Sequence, residues 1–259
     1  MGTANRNKLL MQGTNTKTGI WETIDYEPKN LSTELHIKTL AMQEICIHAM
    51  SSLAGISYDE EGGHIVRTQH YVRVLADHLA QTGHYTEVLT PENILLISKS
   101  AMIHDIGKVG IPEYILMKPA LLTQQEFEIM KTHTTLGYQA IVRTEKTFGE
   151  PGGSYLRFAK EIVYSHHERW DGSGYPLGLA GERIPLSARL MALADVYDAL
   201  TSKRVYKDSF SHERACFEIQ QNAGKHFDPH VAEAFLATQR QFKEISKRYV
   251  NENDTHLYV

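Results

Sequence analysis

Cysteine is nearly absent from this chain: Cys46 and Cys216 are the only two among 259 residues. Two thiols make neither a disulfide framework nor a thiolate metal knuckle, and they fit a reducing compartment, so the expectation is a cytoplasmic protein. Long apolar runs are also missing. No stretch approaches the roughly 18 to 20 residues needed to span a bilayer, and the polar start has no signal-peptide core, so neither a membrane nor a secreted protein is expected. Excess positive charge is lacking too, with 27 Lys and Arg against 31 Asp and Glu for a net charge of −4. That balance argues against an extended nucleic-acid polymer as partner and leaves anionic ligands to a local pocket. Internal repeats, low-complexity tracts and alternating strand-like runs are scarce or absent.

What remains is helical periodicity. Residues 1–30 carry no sustained apolar period and read as a polar linker or an expression-derived segment. Leu35, Leu40, Ile45, Met50 and Leu53 recur at approximately helical spacing, which predicts a connector helix within residues 31–58. A second helix is expected over about 63–81, where Ile65, Val66, Val72, Leu75 and Leu79 share a face and Gly83 stops the run. Further helices are expected over 91–103, from Thr123 past Tyr138, and over 155–165, 185–201, 211–221 and 228–247. Thr123 with Glu126 spells a capping box, and Asp228 before Pro229 offers an N-cap followed by a first-turn proline. The fold class is all-α, a helical bundle with short loops, ending in a tail over 248–259.

Histidine is what the chain has in excess, with 14 copies. Nine, such as His36, His70 and His256, stand singly on helices or in the tail and read as solvated or structural. The other five, His64, His104, His133, His166 and His167, lie beside carboxylates or at helix ends. His104 is followed directly by Asp105; on a helix their side chains diverge by about 100°, too far for one chelate face. Such a pair suits a site between helices, or a multinuclear site in which the Asp bridges two metals. Imidazole and carboxylate donors without thiolate favour iron, manganese or another borderline to hard divalent ion over structural zinc. Two such ions about 4 Å apart can activate a water and offset charge on a phosphodiester.

Four ordered blocks carry a family likeness. His104-Asp105-Ile106-Gly107-Lys108-Val109-Gly110-Ile111-Pro112 resembles the signature of HD-domain phosphohydrolases. His166-His167-Glu168-Arg169-Trp170-Asp171-Gly172-Ser173-Gly174-Tyr175-Pro176 resembles the extended HD-GYP signature. Ala194-Asp195-Val196-Tyr197-Asp198-Ala199-Leu200-Thr201-Ser202 and Arg204-Val205-Tyr206-Lys207 follow in the order of the HD-GYP family. The resemblance spans about residues 59–235 and implies an HD-GYP catalytic domain over 59–247.

By that resemblance the domain is an HD-type bundle with a central multinuclear site of two or three divalent transition-metal ions, iron first and manganese second. The activity it implies is opening of a cyclic dinucleotide, cyclic di-GMP to the linear dinucleotide and then on to GMP. Carried over position by position, His64, His104, Asp105, His133, His166, His167 and Asp195 match metal ligands. Glu60 matches the acidic ligand of members with a third metal. The family often shows Asn-Glu-Thr-Gly-Asn-His where this chain has Asp59-Glu60-Glu61-Gly62-Gly63-His64, so the extra acids leave open which carboxylate binds. Lys108, three residues after Asp105, is expected to face the scissile phosphate. The glycine-rich turn 171–178 is expected to fold over a ligand with Tyr175 at the substrate, and Arg204 and Lys207 to clamp the second phosphate. Trp170 and Tyr197 read as packing residues, and Asp198 as a partner orienting a histidine or as a helix-end acceptor. A mixed cyclic GMP-AMP substrate and a non-hydrolysing receptor are the alternatives. An upstream receiver or sensor domain is an expected partner, and the question of a homodimer stays open.

Overall fold

The computed structural model describes residues 63–148, 156–202 and 209–249, together with the backbone of two short strands. The expected connector helix, Glu60, Arg204, Lys207 and residues 250–259 of the C-terminal tail lie outside those residues. The strands, β1 (Met11–Thr14) and β2 (Trp21–Ile24), pair antiparallel with Met11 opposite Ile24 and Thr14 opposite Trp21. They fall within the stretch read as a linker, where four-residue segments give too few alternations for a strand period to show. They belong to a separate unit, Met1–Gln43.

The regular elements of the larger unit, among its described residues, are helices, beside one isolated bridge between Ala223 and Phe227. Its elements are α1 (Gly63–Gln81), α2 (Pro91–Ser100), α3 (Glu113–Leu116), α4 (Gln124–Phe148), α5 (Arg157–Ser165), α6 (Leu186–Thr201), α7 (His212–Gln221) and α8 (Pro229–Arg248). Three 3₁₀ turns, Ala101–Ile103, Ile106–Gly110 and Gly181–Arg183, complete them. Sequence periodicity missed the last two and α3, because runs of three to five residues hold no full amphipathic period.

The starts follow the expected chemistry. Thr123 and Glu126 close a reciprocal box: the Glu126 N–H donates to the Thr123 hydroxyl at 3.3 Å and the Thr123 N–H to the Glu126 carboxylate at 2.7 Å. Asp228 accepts from the His230 N–H at 2.8 Å, and Thr90 accepts from Asn93, each with proline opening the helix behind it.

Helix α6 is buried on nearly every side from Leu186 to Ala194, which makes it the central element. α1 packs against α2, α6 and α8. Tyr71, Leu75, Leu190, Tyr197, Phe235 and Phe242 are fully buried at the centre, with the Tyr71 and Phe242 rings stacked 4.4 Å apart. A smaller cluster of Ile103, Ala159 and Val163, backed by Ile106 and Ile141, underlies the histidine-rich end.

Candidate metal centre

The segment carrying His104 and Asp105 runs in 3₁₀ turns across α4. The crossing is closer than any side chain allows: a Cβ on Gly107 would lie 1.9 Å from the His133 carbonyl oxygen, and one on Gly137 would lie 2.6 Å from Val163 Cγ1 and 3.1 Å from the Gly107 nitrogen. Two glycines therefore set the approach that brings Asp105 beside His133. From the other side, α5 ends at Ser165 and delivers His166 and His167, while His64 near the start of α1 and Asp195 within α6 complete the lining.

The seven residues form two groups. Asp105, His133, His166 and His167 offer ligand atoms within 4.8 Å of one another, and so do His64, His104 and Asp195. The His104-Asp105 dipeptide is thus split between the groups, as the divergence of adjacent side chains requires. Asp105 stands at their junction: Oδ1 is 3.2 Å from His133 Nε2 and 3.6 Å from His166 Nε2, while Oδ2 is 3.2 Å from His104 Nε2.

The protonation pattern fits a cation. Nδ1 of His104, His133 and His166 lies 2.7 to 2.9 Å from the carbonyls of Ala101, Met130 and Ile162, and Nδ1 of His64 lies 2.9 Å from Asp198 Oδ2. Each partner can only accept, so in the neutral rings Nδ1 holds the proton and Nε2 turns a lone pair inward. Two of these lone pairs face each other, His64 Nε2 and His104 Nε2 at 3.4 Å. His133 Nε2, His166 Nε2 and Asp105 Oδ1 are buried and make no well-aligned hydrogen bond, their short separations notwithstanding. A cluster of inward lone pairs beside a carboxylate is repulsive by itself and is what a divalent ion would satisfy.

Burial lowers the basicity of His166 and, with His166 beside it, takes His167 well below the ordinary imidazole value. Burial alone would raise the Asp105 carboxyl, but Lys108 Nζ at 2.6 Å and the nearby histidines outweigh it and hold the group well below its usual range. Lys108 is therefore directed at Asp105 itself; in a 3₁₀ turn residues three apart eclipse, which brings the ammonium onto the carboxylate.

Asp198, one turn after Asp195, takes the orienting role. It receives His64 Nδ1, and Arg67 donates Nε to Oδ1 at 2.7 Å and Nη2 to Oδ2 at 2.9 Å. Burial opposes the charge, yet the Arg67 and His64 hydrogen bonds bring the carboxyl down to about 2. Arg67 was not singled out in the sequence, since a helical arginine looks solvated until its partner, 131 residues away, is known. Tyr197 lies in the core, as read.

Tyr175 stacks on His167, with centroids 4.7 Å apart. The turn holding it folds mainly upon itself: a Cβ on Gly174 would lie 2.3 Å from the Arg169 nitrogen, so the close approach that glycine permits is to the start of the same loop. Glu168, almost fully buried, accepts from the Leu177 N–H at 2.7 Å and the Leu179 N–H at 3.0 Å. This carboxylate was missed as well, its neighbours in sequence drawing attention as donors. Arg169 Nη1 lies 3.2 Å from His226 Nδ1, and the Trp170 N–H donates to the His226 carbonyl, which fastens the loop to the turn before α8.

Residues 58–231 match the model of the HD domain family, and the chain belongs to that family. The Gly174-Tyr175-Pro176 turn beside the paired histidines is the feature by which it resembles the HD-GYP proteins. Over 218 residues, 84% of the chain, it is 50% identical to a protein of Vibrio cholerae named cyclic di-GMP phosphodiesterase, of which it covers 44%. It is 52% identical, over the same number of residues and share of the chain, to a probable cyclic di-GMP phosphodiesterase of that organism, covering 49% of it. A third Vibrio cholerae protein, 3'3'-cGAMP-specific phosphodiesterase 2, is 39% identical over 71% of the chain, which spans 32% of that relative. The chain thus spans half or less of the length of these relatives. None of its described helices is long and apolar enough to cross a membrane.

Proposed function

We propose that this chain carries the catalytic domain of a metal-dependent phosphodiesterase that opens cyclic di-GMP. The observation that carries this reading is the pair of donor groups joined at His104-Asp105, with Nε2 lone pairs turned inward and Asp105 between them. In it, His64, His104 and Asp195 would hold one ion and Asp105, His133, His166 and His167 another. Iron is the first candidate and manganese the second, because the donors are imidazole and carboxylate only. Such ions supply charge neutralisation at the phosphodiester and acidify a water. The chain's own residues do the rest. Asp198 and the backbone carbonyls hold the imidazoles of His64, His104, His133 and His166 in the ligating tautomer, Lys108 offers positive charge to the reacting phosphate once Asp105 is occupied, and Tyr175 borders the substrate. Glu60 as ligand to a third ion and Arg204 with Lys207 as the clamp on the second phosphate complete the proposal.

The names of the relatives support cyclic di-GMP ahead of cyclic GMP-AMP, the second reading. The full donor set weighs against a receptor without turnover. Regulation by an additional domain fits the greater length of the relatives, one of which is named a response regulator.

Elemental analysis of anaerobically prepared protein, paired with chromatographic assay of cyclic di-GMP breakdown, tests the proposal. At least two transition-metal ions per chain and a linear dinucleotide product are expected, with turnover lost in the His104→Ala/Asp105→Ala double variant. One ion or none, or an intact substrate, would sink it.

A further inference from the structure

Beside the donor cluster lies an aromatic corner with a charged pair set into it. Tyr175, already stacked on His167, presents another part of its ring to Phe127 of α4, the two rings nearly perpendicular with centroids 6.1 Å apart. Lys131, one helical turn beyond Phe127, holds its ammonium 5.5 Å from the Phe127 ring centre and 5.7 Å from that of Tyr175. Glu128 Oε2 lies 2.6 Å from the same ammonium. Phe127 is 41% exposed and Leu177, two residues past Tyr175, is 55% exposed, so large apolar surface is left open where the corner meets solvent. A solvated Lys and Glu three apart on a helix would need no rings. Here the Lys131 ammonium lies over both rings, with Tyr175 as the wall shared with the candidate metal centre, while Glu128 stands half exposed beside it and accepts from Gln124 Nε2 at 2.8 Å through its other oxygen.

Aromatic faces beside a positive charge suit a nucleobase, which stacks through its π-face whatever its identity. Identity is read at the edge. Guanine presents the O6 acceptor beside the N1–H donor; adenine presents the N6 amino donor beside the N1 acceptor, the opposite order. An ammonium next to a carboxylate is complementary to guanine at both positions and opposed to adenine at both. Resting on the phosphodiesterase reading above, we infer that Phe127 and Tyr175 form a stacking corner for one guanine of the substrate and that the Lys131–Glu128 pair selects it over adenine, Lys131 donating to O6 and Glu128 accepting from N1–H.

Calorimetric binding of the hydrolysis-resistant bisphosphorothioate analogues of cyclic di-GMP and cyclic di-AMP to the metal-loaded full chain tests this. The native protein should prefer the guanine ligand by about tenfold or more, within the range for one wrong base contact. Lys131→Met keeps the apolar stem on the rings and removes the donor, so the preference should fall at least fivefold; Lys131→Arg, which keeps a donor, should restore most of it. General damage to the site would weaken both ligands in proportion and leave their ratio unchanged, which overturns the inference. A native protein that binds the two equally overturns it as well. A protein that breaks down cyclic di-GMP while its preference ignores Lys131 rejects the inference alone. A protein that shows the Lys131-dependent preference without turnover upholds guanine reading and rejects the hydrolase.

Discussion

Asp198 is the residue on which the orientation of one donor group depends. Its two oxygens are shared between His64 and Arg67, all three side chains being nearly inaccessible. Asp198→Asn keeps the shape but removes the charge, leaving the Arg67 guanidinium short of its counterion and setting an amide where the His64 proton was received. Breaking a buried pair from one side costs about 3 to 5 kcal/mol, and loss of a partner that orients a metal-bound histidine lowers affinity by about 10 to 100-fold. Competitive chelator titration together with urea unfolding reads both quantities; a variant that keeps its metal affinity would show that His64 needs no orientation. Glu60 is tested differently, because it shares an acidic run with Glu61. If it completes a third position, Glu60→Ala lowers the metal content by about one ion, within the usual coordination number, and Glu61→Ala does not. The reverse outcome moves the ligand by one residue.

At the scale of elements, the crossing of the Ile106–Gly110 turn with α4 is the joint that assembles the site. Gly107→Ala places a methyl group against the His133 backbone, where neither partner can move without displacing a donor, and is expected to cost about 3 kcal/mol or more, the upper part of the range for overpacking. Gly110→Ala meets only the tip of the Leu136 side chain at 2.9 Å and should cost far less. Equal losses in denaturant unfolding would mean that the crossing is not tight. The second joint is the fastening of the 166–178 loop to His226. Burial, with Arg169 adding to it, depresses His226 to about 4. A depressed imidazole takes up protons more readily in the unfolded chain, so its contribution to stability is present above the ordinary value near 6.5 and is lost as pH falls from there toward 4. Between pH 7 and 4.5 the native protein should lose about 2 kcal/mol more than His226→Gln, allowing for partial solvation. Parallel pH dependence of the two would place the acid sensitivity elsewhere.

Over the whole molecule, the long helices were readable because amphipathic period and cap chemistry act locally: α1 and α6 begin and end within a residue or two of their expected limits, and the Thr123–Glu126 box formed as spelled. Seven of the eight candidate donors that the motifs name come together in the structure, and Glu60 lies outside the described residues. The partition of those seven into two groups was not readable, because it depends on the 3₁₀ path and on the Gly107–Gly137 crossing, which bring together positions far apart in the chain. Arg67 and Glu168 escaped for the same reason, each defined by a partner rather than by a pattern. This separation between a locally encoded bundle and a tertiary site has a consequence for stability. The main core of Tyr71, Leu75, Tyr197, Phe235 and Phe242 is formed without the donor residues, whereas the donor end rests on the small Ile103, Ala159 and Val163 cluster. Removing the ions with a chelator should therefore leave helical content by circular dichroism nearly unchanged while lowering the thermal midpoint. The lost linkage energy is about 2.7 kcal/mol for each site previously held at a hundredfold excess over its dissociation constant. Amide exchange should quicken first around His104–Gly110 and His133–Gly137, where inward lone pairs are left facing one another, and least in α1, α6 and α8. Collapse of the helical signal on chelation would instead make the ions structural and the core insufficient to hold the bundle.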